Sequence, residues 1–273
     1  MNSVLDSIIQ GVQEDLVARK SKIPLETLRQ IANDVPRALP ASQILQARNF
    51  SVIAEVKRAS PSKGHLSDIT DPAELALSYQ SGGAQVISVL TEERRFSGSL
   101  ADLDAVRRKV SVPILRKDFM VDEYQIWEAR AHGADVILLI VAGLTDLQLN
   151  SLNALALELG MSVLVEIHDE SELARALQIQ PALIGVNARN LKTLEVDLAT
   201  CHNLLPQIPS GIVGIAESGI SSTNEVIDLV SSGAQAVLVG EALVTGGTPA
   251  ETVAEWTQAG EQAREKFLMN RGS

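Results

Sequence analysis

Charged side chains of both signs lie at the ends of several short apolar segments in this sequence. Glu55 and Lys57 end the first segment, Lys117 ends a later one, and Glu166 lies near the end of the run SVLVEI. When a lysine and a glutamate share an enclosed site, desolvation and neighbouring charges can move their pKa values apart, which provides a general acid and a general base at the same pH. The sequence therefore predicts acid–base chemistry by residues that are far apart along the chain.

Two further polar residues extend this set. Asn187 ends the segment ALIGVN, and Glu217 lies near the end of IVGIAES. Residues two apart on a strand share a face, so Glu55 and Lys57 point to the same side. A single charge at a strand end is often part of a solvated rim, and a purely structural network of opposite charges is a second interpretation. Polar ends on five separate segments favour a functional site.

Glycine and hydroxyl residues at other segment ends predict an anion site. Ser218 and Gly219 follow one apolar segment, and Gly240 and Glu241 follow the next. Backbone N–H groups in such loops and at helix N-termini bind phosphate. The loop SPSKG, which begins at Ser60, adds hydroxyls, a lysine and a turn glycine that suit closure over a phosphorylated ligand. Each glycine loop alone is weak evidence, since turns need glycine in any case.

The elements that must position these residues form a repeat. About eight short apolar runs, which start at residues 51, 84, 112, 134, 162, 182, 212 and 234, are each followed by a turn and an amphipathic stretch. Eight such units that close on themselves form a (β/α)8 TIM barrel, an α/β fold whose active site lies at the carboxyl ends of the strands. An open doubly wound sheet is the alternative, but the first strand lacks a following Gly-x-Gly-x-x-Gly.

The two ends of the chain predict helices. Leu5, Ile8, Val12 and Leu16 recur at helical spacing, and a second short pattern follows Pro24. We therefore expect a single barrel domain over residues 1–273, in which residues 1–50 form an N-terminal extension of two helices. The stretch from residue 248 onward predicts a helix that covers the last strand.

Composition and charge exclude several classes of protein. The formal net charge of −11 opposes binding to nucleic acid and to anionic membranes, so a phosphorylated small molecule must be held by a local positive site. The longest apolar run is about half the ~20 residues that a membrane helix needs. The single cysteine, Cys201, and the absence of a secretion signal predict a cytoplasmic protein. The histidines lack metal-ligand spacing, and none is assigned to catalysis; Cys201 is expected in the core.

Six sequence blocks lie in order at the strand ends. They are IAEVKRASPSKG from Ile53, LRKDF from Leu115, LVEIHDE from Leu164, IGVNARNLKTLEVD from Ile184, IAESGI from Ile215 and VLVGEAL from Val237. Together they resemble the indole-3-glycerol phosphate synthase family of tryptophan biosynthesis, and the resemblance spans essentially the whole chain, including the N-terminal helices. It implies a carboxy-lyase that closes the indole ring of 1-(2-carboxyphenylamino)-1-deoxyribulose 5-phosphate, with release of carbon dioxide and water and without a metal or organic cofactor.

The same resemblance implies the catalytic roles. Lys117 is the candidate general acid on the substrate ketone, and Glu166 is the candidate base of the final dehydration. Lys57 is expected to contact the substrate carboxylate and to act as an acid in the dehydration, while Glu55 orients it or relays a proton. Which lysine acts at which step stays open. The hydroxyls of the substrate and the lysine network are assigned to Asn187 and Glu217.

The remaining residues are expected to bind substrate. Phe119 is expected to pack on the anthranilate ring, with a purely core-filling role as the alternative. The family often has a small residue at position 241, so only the backbone N–H of Glu241 is expected to face the phosphate. The expected substrate-binding residues are Ser60, Phe119, Arg189, Ser218, Gly219, Gly240 and Glu241.

Three other functions compete with this interpretation. A phosphoribosylanthranilate isomerase would carry a cysteine base on the first strand, where this sequence has Glu55 and Lys57. A Schiff-base lyase would use Lys117 as a nucleophile. A phosphosugar-binding protein without catalysis would not need the charged set. The length leaves no room for a fused pathway enzyme, so any loose association with other enzymes of the pathway is expected to involve separate chains.

Overall fold

A closed barrel of eight parallel strands organises the chain. The computed structural model describes residues 3–61, 64–66, 69–245 and 248–271. Neighbouring strands pair in sequence order, and the last pairs with the first, so the predicted (β/α)8 barrel is confirmed. The strands are β1 (Ser51–Val56), β2 (Val86–Leu90), β3 (Ile114–Lys117), β4 (Val136–Ile140), β5 (Ser162–Ile167), β6 (Leu183–Asn187), β7 (Val213–Glu217) and β8 (Ala236–Val239).

Helices precede the barrel and alternate with its strands. Short 3₁₀ turns cover Val141–Gly143 and Leu205–Gln207, and a small antiparallel pair joins Ala59–Ser60 to Gly64–His65 after β1. No helix in the described part of the chain has the length and apolar character needed to span a membrane. The helices are α1 (Val4–Lys22), α2 (Leu25–Asp34), α3 (Ala41–Gln46), α4 (Pro72–Ser81), α5 (Glu93–Phe96), α6 (Leu100–Lys109), α7 (Glu123–Ala131), α8 (Asp146–Glu158), α9 (Glu170–Gln178), α10 (Ala199–Leu204), α11 (Thr223–Ser231), α12 (Glu241–Thr245) and α13 (Pro249–Arg271).

The strands divide the core into two layers. Val52 and Ala54 of β1 belong to the layer between barrel and helices, whereas Ile53 belongs to the barrel interior. The other strands alternate in the same way because successive side chains of a strand point to opposite faces. Each buried Leu, Ile or Val contributes roughly 1.5–3 kcal/mol to stability relative to an exposed one. The interior aliphatic residues include Ile53, Val86, Leu115, Val136, Leu138, Leu164, Leu183, Val213, Ile215 and Leu238.

This alternation places the polar strand ends inside the barrel. Glu55 follows Ile53 by two positions, Lys117 follows Leu115, and Glu166 follows Leu164. These side chains therefore extend the interior rows towards the carboxyl end of the barrel, where aliphatic residues give way to charged ones. The alternation of side chains along the strands therefore places both the aliphatic core and the polar strand ends in the barrel interior.

Two of the N-terminal helices close opposite ends of the barrel. Leu5 and Ile8 of α1 are buried against the carboxyl end, and Arg19 of the same helix lies 2.7 Å from Glu128 on α7. At the amino end, the backbone N–H of Ser42 on α3 donates to Ser162 Oγ at the start of β5.

The two predicted N-terminal helices are confirmed as α1 and α2, but the sequence did not predict the third, α3. This helix has only six residues, and Ala41 and Leu45 are the two that it buries. So short a segment gives too little periodicity for detection in sequence, and its helical form depends on its contacts with the barrel.

The predicted C-terminal helix is present as α13, but it packs against β1 and not against the last strand, β8, so the prediction that it covers the last strand was wrong. Gly260 of α13 lies against the ring of Phe50, and the space there admits no side chain at position 260. Trp256 and Val253 are buried on the same helix. The Cys201 thiol is also buried and donates to the carbonyl of Val186, in agreement with its expected place in the core.

Candidate active site

A cavity of about 200 Å³ opens at the carboxyl end of the barrel. Its walls come from strand ends, from the loops that follow them and from α1. All thirteen residues that the sequence suggested as catalytic or substrate-binding line this one cavity: Glu55, Lys57, Ser60, Lys117, Phe119, Glu166, Asn187, Arg189, Glu217, Ser218, Gly219, Gly240 and Glu241.

Glu55 and Lys57 form a close ion pair at the end of β1. Lys57 Nζ lies 2.8 Å from Glu55 Oε1, and the hydroxyl of Ser88 donates to Glu55 Oε2 at 3.3 Å. Burial alone would raise the pKa of the Glu55 carboxyl, but the two neighbouring lysines lower it. Glu55 is therefore an anion that holds Lys57 in the cavity.

Lys117 lies between three carboxylates. Its Nζ is 3.5 Å from Glu217 Oε2, 3.7 Å from Glu166 Oε2 and 3.9 Å from Glu55 Oε2. Burial alone would lower the pKa of Lys117, but the carboxylates raise it above the ordinary lysine value. The ammonium is thus charged, yet its contacts are longer than a strong charge-assisted hydrogen bond of about 2.7–2.9 Å.

Glu217 is the most crowded of these carboxylates. Neither of its oxygens has a hydrogen-bond partner within the described residues. A side chain at position 185 would clash with Glu217 Oε1, so only glycine at 185 leaves room for this carboxyl group. Burial, together with the charges of Glu166 and Glu55, raises the pKa of Glu217 despite the attraction of Lys117. Glu217 is the group best suited to carry a proton.

The pKa of Glu166 is shifted in the opposite direction to that of Glu217. Burial alone would raise the pKa of its carboxyl, but Lys117 and His168 lower it, with a further contribution from hydrogen bonding by Asn187. Asn187 is itself oriented, since its Oδ1 accepts the backbone N–H of Arg189 at 2.9 Å. The cavity thus places an ionised carboxylate beside a carboxyl group that favours its protonated form.

The corner of the cavity near β7 and β8, here named the anion corner, is where the sequence predicts an anion site. Ser218 and Gly219 are consecutive residues with positive φ, at 68° and 78°. Consecutive residues in turn conformations present their N–H groups to a common concave surface, where anions bind. Gly240 precedes Glu241, the first residue of α12. Part of the loop expected to close over the ligand, residues 62 and 63, lies outside the described residues.

Arg189 supplies positive charge at this corner. Its Nη1 donates to the carbonyl of Leu194 at 3.0 Å, which holds the side chain along the loop after β6. The Glu241 carboxylate acts electrostatically on Arg189. An acidic side chain at position 241 therefore has a cationic neighbour of its own beside the proposed phosphate position.

The opposite wall of the cavity is apolar. The rings of Phe119 and Phe96 lie 6.0 Å apart in a tilted arrangement, a spacing at which aromatic pairs attract each other. Leu5 and Ile8 of α1 complete this wall together with Leu138 and other aliphatic residues. Sequence reasoning missed these positions. Alternation along β4 could have identified Leu138, but nothing in the sequence shows where α1 docks.

The side of β3 that faces away from the cavity carries a separate ionic cluster. Arg116 Nη2 lies 2.9 Å from both Asp118 Oδ2 and Glu128 Oε2, and its Nε donates to Thr91 Oγ1 at 3.1 Å. Arg19 of α1 contacts the same Glu128 oxygen. No group of three or more His, Cys, Asp or Glu within the described ranges is arranged to hold a metal ion.

Comparison with known proteins agrees with this geometry. Residues 5–255 match the family model described as indole-3-glycerol phosphate synthase. The chain is 58% identical over 258 residues to an indole-3-glycerol phosphate synthase of Rhodococcus jostii, with 94% of this chain and 96% of that protein covered. It is 54% identical over 259 residues to indole-3-glycerol phosphate synthase 1 of Streptomyces coelicolor, with 95% and 96% covered.

A solved structure supports the fold alone. A chain from the crystal structure of the Amycolatopsis orientalis BexX/CysO complex aligns with a TM-score of 0.57 at 21% identity, covering 81% of this chain and 91% of that one. The family assignment rests instead on the sequence matches over nearly the whole chain. The chain belongs to the indole-3-glycerol phosphate synthase family.

Proposed function

We propose that the cavity at the carboxyl end of the barrel closes the indole ring of 1-(2-carboxyphenylamino)-1-deoxyribulose 5-phosphate by lysine and glutamate acid–base catalysis. The activity is that of the family, a carboxy-lyase that forms indole-3-glycerol phosphate. The observation that carries the assignment of roles is the Lys117 ammonium, which lies within 3.5–3.9 Å of three carboxylates in a cavity with an anion corner.

The substrate spans the cavity from the apolar wall to the anion corner. Its anthranilate ring packs on Phe119, and its phosphate accepts from Ser60 and from the backbone around Gly219 and Gly240. Arg189 provides a neighbouring positive charge. The Lys57 ammonium contacts the carboxylate of the substrate, and Glu55 holds that ammonium in place at 2.8 Å.

Ring closure is the first chemical step. The aromatic carbon that bears the carboxylate attacks the ketone carbon, and a carbon–carbon bond forms. Lys117 gives a proton to the ketone oxygen as this oxygen becomes a hydroxyl. A positioned acid contributes about 10²–10⁴-fold to such a step, and the ammonium also stabilises the negative charge that develops on oxygen.

Decarboxylation and dehydration follow. Carbon dioxide leaves, and the electron pair of its bond returns to the ring. Glu166 then removes a proton while Lys57 protonates the departing hydroxyl group, which leaves as water. The lowered pKa of Glu166 keeps its carboxylate ionised, which is the form that can accept a proton. Asn187 and Glu217 hold the substrate hydroxyls and the lysine network.

The charge state of Lys117 bears on the competing functions. A lysine nucleophile must be neutral, which requires a lowered pKa, whereas the carboxylates around Lys117 raise its pKa. This favours the general acid over Schiff-base chemistry. A binding protein without catalysis would need the anion corner and the apolar wall, but not the paired lysines and glutamates.

Two finer proposals concern location and partners. The net charge of −11 and the single cysteine of the sequence support a cytoplasmic location. Any association with other enzymes of the tryptophan pathway is proposed to be loose and between separate chains, which co-purification at low and high salt would test.

A turnover assay tests the proposed function. Purified protein is incubated with synthetic 1-(2-carboxyphenylamino)-1-deoxyribulose 5-phosphate, and indole fluorescence and carbon dioxide release are followed together. We expect product from the wild type and a fall in kcat of about 10³-fold in Lys117→Met with substrate still bound. Lys109→Met, at an exposed lysine paired with Glu74, is the matched control. Full turnover by Lys117→Met would show that the role of Lys117 is wrong.

A further inference from the structure

His168 lies directly behind the proposed base. It is the first residue after β5 and lies two positions beyond Glu166. Its Nε2 is 3.4 Å from Glu166 Oε1, and its Nδ1 is 3.0 Å from Glu172 Oε2 on α9. The imidazole thus connects two carboxylates, one inside the cavity and one outside it.

Glu172 fixes the imidazole from the outer side. Its Oε2 accepts both the ring Nδ1 and the backbone N–H of His168, the latter at 2.8 Å. Glu172 is held in turn because its backbone N–H donates to Asp169, the N-cap of α9. By contrast, His168 Nε2 and Glu166 Oε2 are both buried without a hydrogen-bond partner in the described structure. The ring is anchored at one nitrogen and directed at Glu166 with the other.

The surrounding charges make this imidazole a cation. Burial alone would lower the pKa of His168, but the neighbouring carboxylates of Glu166 and Glu172 raise it to about 10. Asp169 is the other charged group that acts on the ring. Glu166 itself faces Lys117 of β3 and Glu217 of β7. A second cation therefore reaches Glu166 from the side opposite the cavity.

We propose that His168 is a positioning residue for Glu166, held by Glu172 so that its ring keeps the Glu166 carboxylate ionised and directed into the cavity. The inference rests on the proposed role of Glu166 as the base. A merely structural histidine would contribute to stability through Glu172 and would leave the titration of Glu166 unchanged. The two possibilities differ in the pH dependence of turnover.

Substitution of His168 by glutamine separates them. Gln offers a neutral donor of similar reach, so Glu166 loses a positive charge and its pKa rises. We expect the acid limb of kcat/KM to move up by about one pH unit, and kcat to fall about ten- to a hundredfold through loss of alignment. KM should change little, because His168 does not line the cavity. His132→Gln is the control, at a half-buried histidine paired with Asp104 outside the site.

A second variant keeps the test decisive if His168→Gln fails to fold. Glu172→Gln removes the anchoring charge but leaves His168 in place, so we expect a shift of the acid limb in the same direction and of smaller size. An unmoved acid limb in a folded variant, with kcat equal to that of wild type, overturns the inference. Glu166→Gln distinguishes the two levels of the proposal: if it retains full turnover, the proposed base role fails, whatever His168 does.

Discussion

Arg116 and Lys117 are neighbours on one strand, yet their surroundings differ in kind. Arg116 is fully buried on the outer side of β3, where its guanidinium meets Asp118 and Glu128 at 2.9 Å. Lys117 points into the barrel, where its contacts with carboxylates measure 3.5–3.9 Å. The same strand therefore carries a tightly paired cation on one side and a loosely paired cation on the other.

The difference matches the proposed division between structural and catalytic charges. Around Arg116, the cation and both carboxylates have close partners, and Arg19 extends the cluster to α1. In the cavity, oxygens of Glu166 and Glu217 lack hydrogen-bond partners among the described residues. Unpaired buried polar groups cost stability, and such costs concentrate where a site must exchange its interactions with a substrate.

Removal of the tightly paired cation should have the largest effect on stability. Arg116→Met leaves Asp118 buried without its ion-pair partner and Glu128 paired with Arg19 alone. Removal of one partner of a buried ion pair typically costs about 3–5 kcal/mol. Chemical denaturation measures the loss as a fall in the free energy of unfolding. Arg108→Met, at an exposed arginine of α6, is the matched control and should unfold like the wild type. A loss in Arg116→Met no larger than in this control would mean that the cluster does not stabilise the fold.

The difference in stability between the wild type and Glu217→Gln should depend on pH. The pKa of Glu217 is raised in the folded state, so the folded protein holds a proton that the unfolded chain releases at lower pH. The contribution of the wild-type residue is therefore present below about pH 4.3, the ordinary value for glutamate, and is lost as the pH rises above it.

Glu217→Gln mimics the protonated group at every pH. The stability of the wild type relative to this variant should decline on the order of 2 kcal/mol between pH 4.5 and neutral pH. Thermal unfolding of both proteins across this range measures the difference, with Glu158→Gln at an exposed glutamate of α8 as control. A wild type that gains stability relative to the variant as the pH rises would mean that Glu217 is ionised in the folded protein.

The smallest effect is expected where α1 is held by surface ion pairs. Arg94 contacts Asp15 at 2.7 Å and Glu14 at 2.8 Å, but its side chain is 43% exposed. Exposed pairs are screened and contribute little. Arg94→Gln should unfold within the experimental error of the wild type in physiological salt. A loss comparable with that of Arg116→Met would show that distance, and not burial, decides what an ion pair contributes.

The sequence predicts the barrel and the strand ends because both depend on local periodicity. Alternation along β1 and β3 places Glu55 and Lys117 inside the barrel once the barrel itself is inferred. The place of Leu5 and Ile8 in the cavity wall could not be predicted, since it depends on how α1 docks. The spacing of the histidines gives no signal for His168, because its partners are Glu166 and Glu172 of the following helix and not a metal ion.

Glycines occupy the turns that lead from four helices into the strands that follow. Gly83, Gly133, Gly160 and Gly233 all adopt positive φ, the conformation in which glycine commonly ends a helix. Gly185 differs from these turn glycines. Position 185 must be glycine because a side chain there would clash with Glu217 on the neighbouring strand β7. A contact between strands leaves no local signature in the sequence.

We propose that catalysis depends on the loosely paired Lys117 and not on the tightly paired Arg116. To test this, the turnover per folded molecule is measured for Lys117→Met and Arg116→Met with the synthetic substrate. We predict that Lys117→Met loses about 10³-fold in kcat, whereas folded Arg116→Met turns over within tenfold of the wild type, about 1.4 kcal/mol in activation free energy. The reverse ranking, with Lys117→Met active and folded Arg116→Met inactive, would contradict the assignment of catalysis to the loosely paired charges.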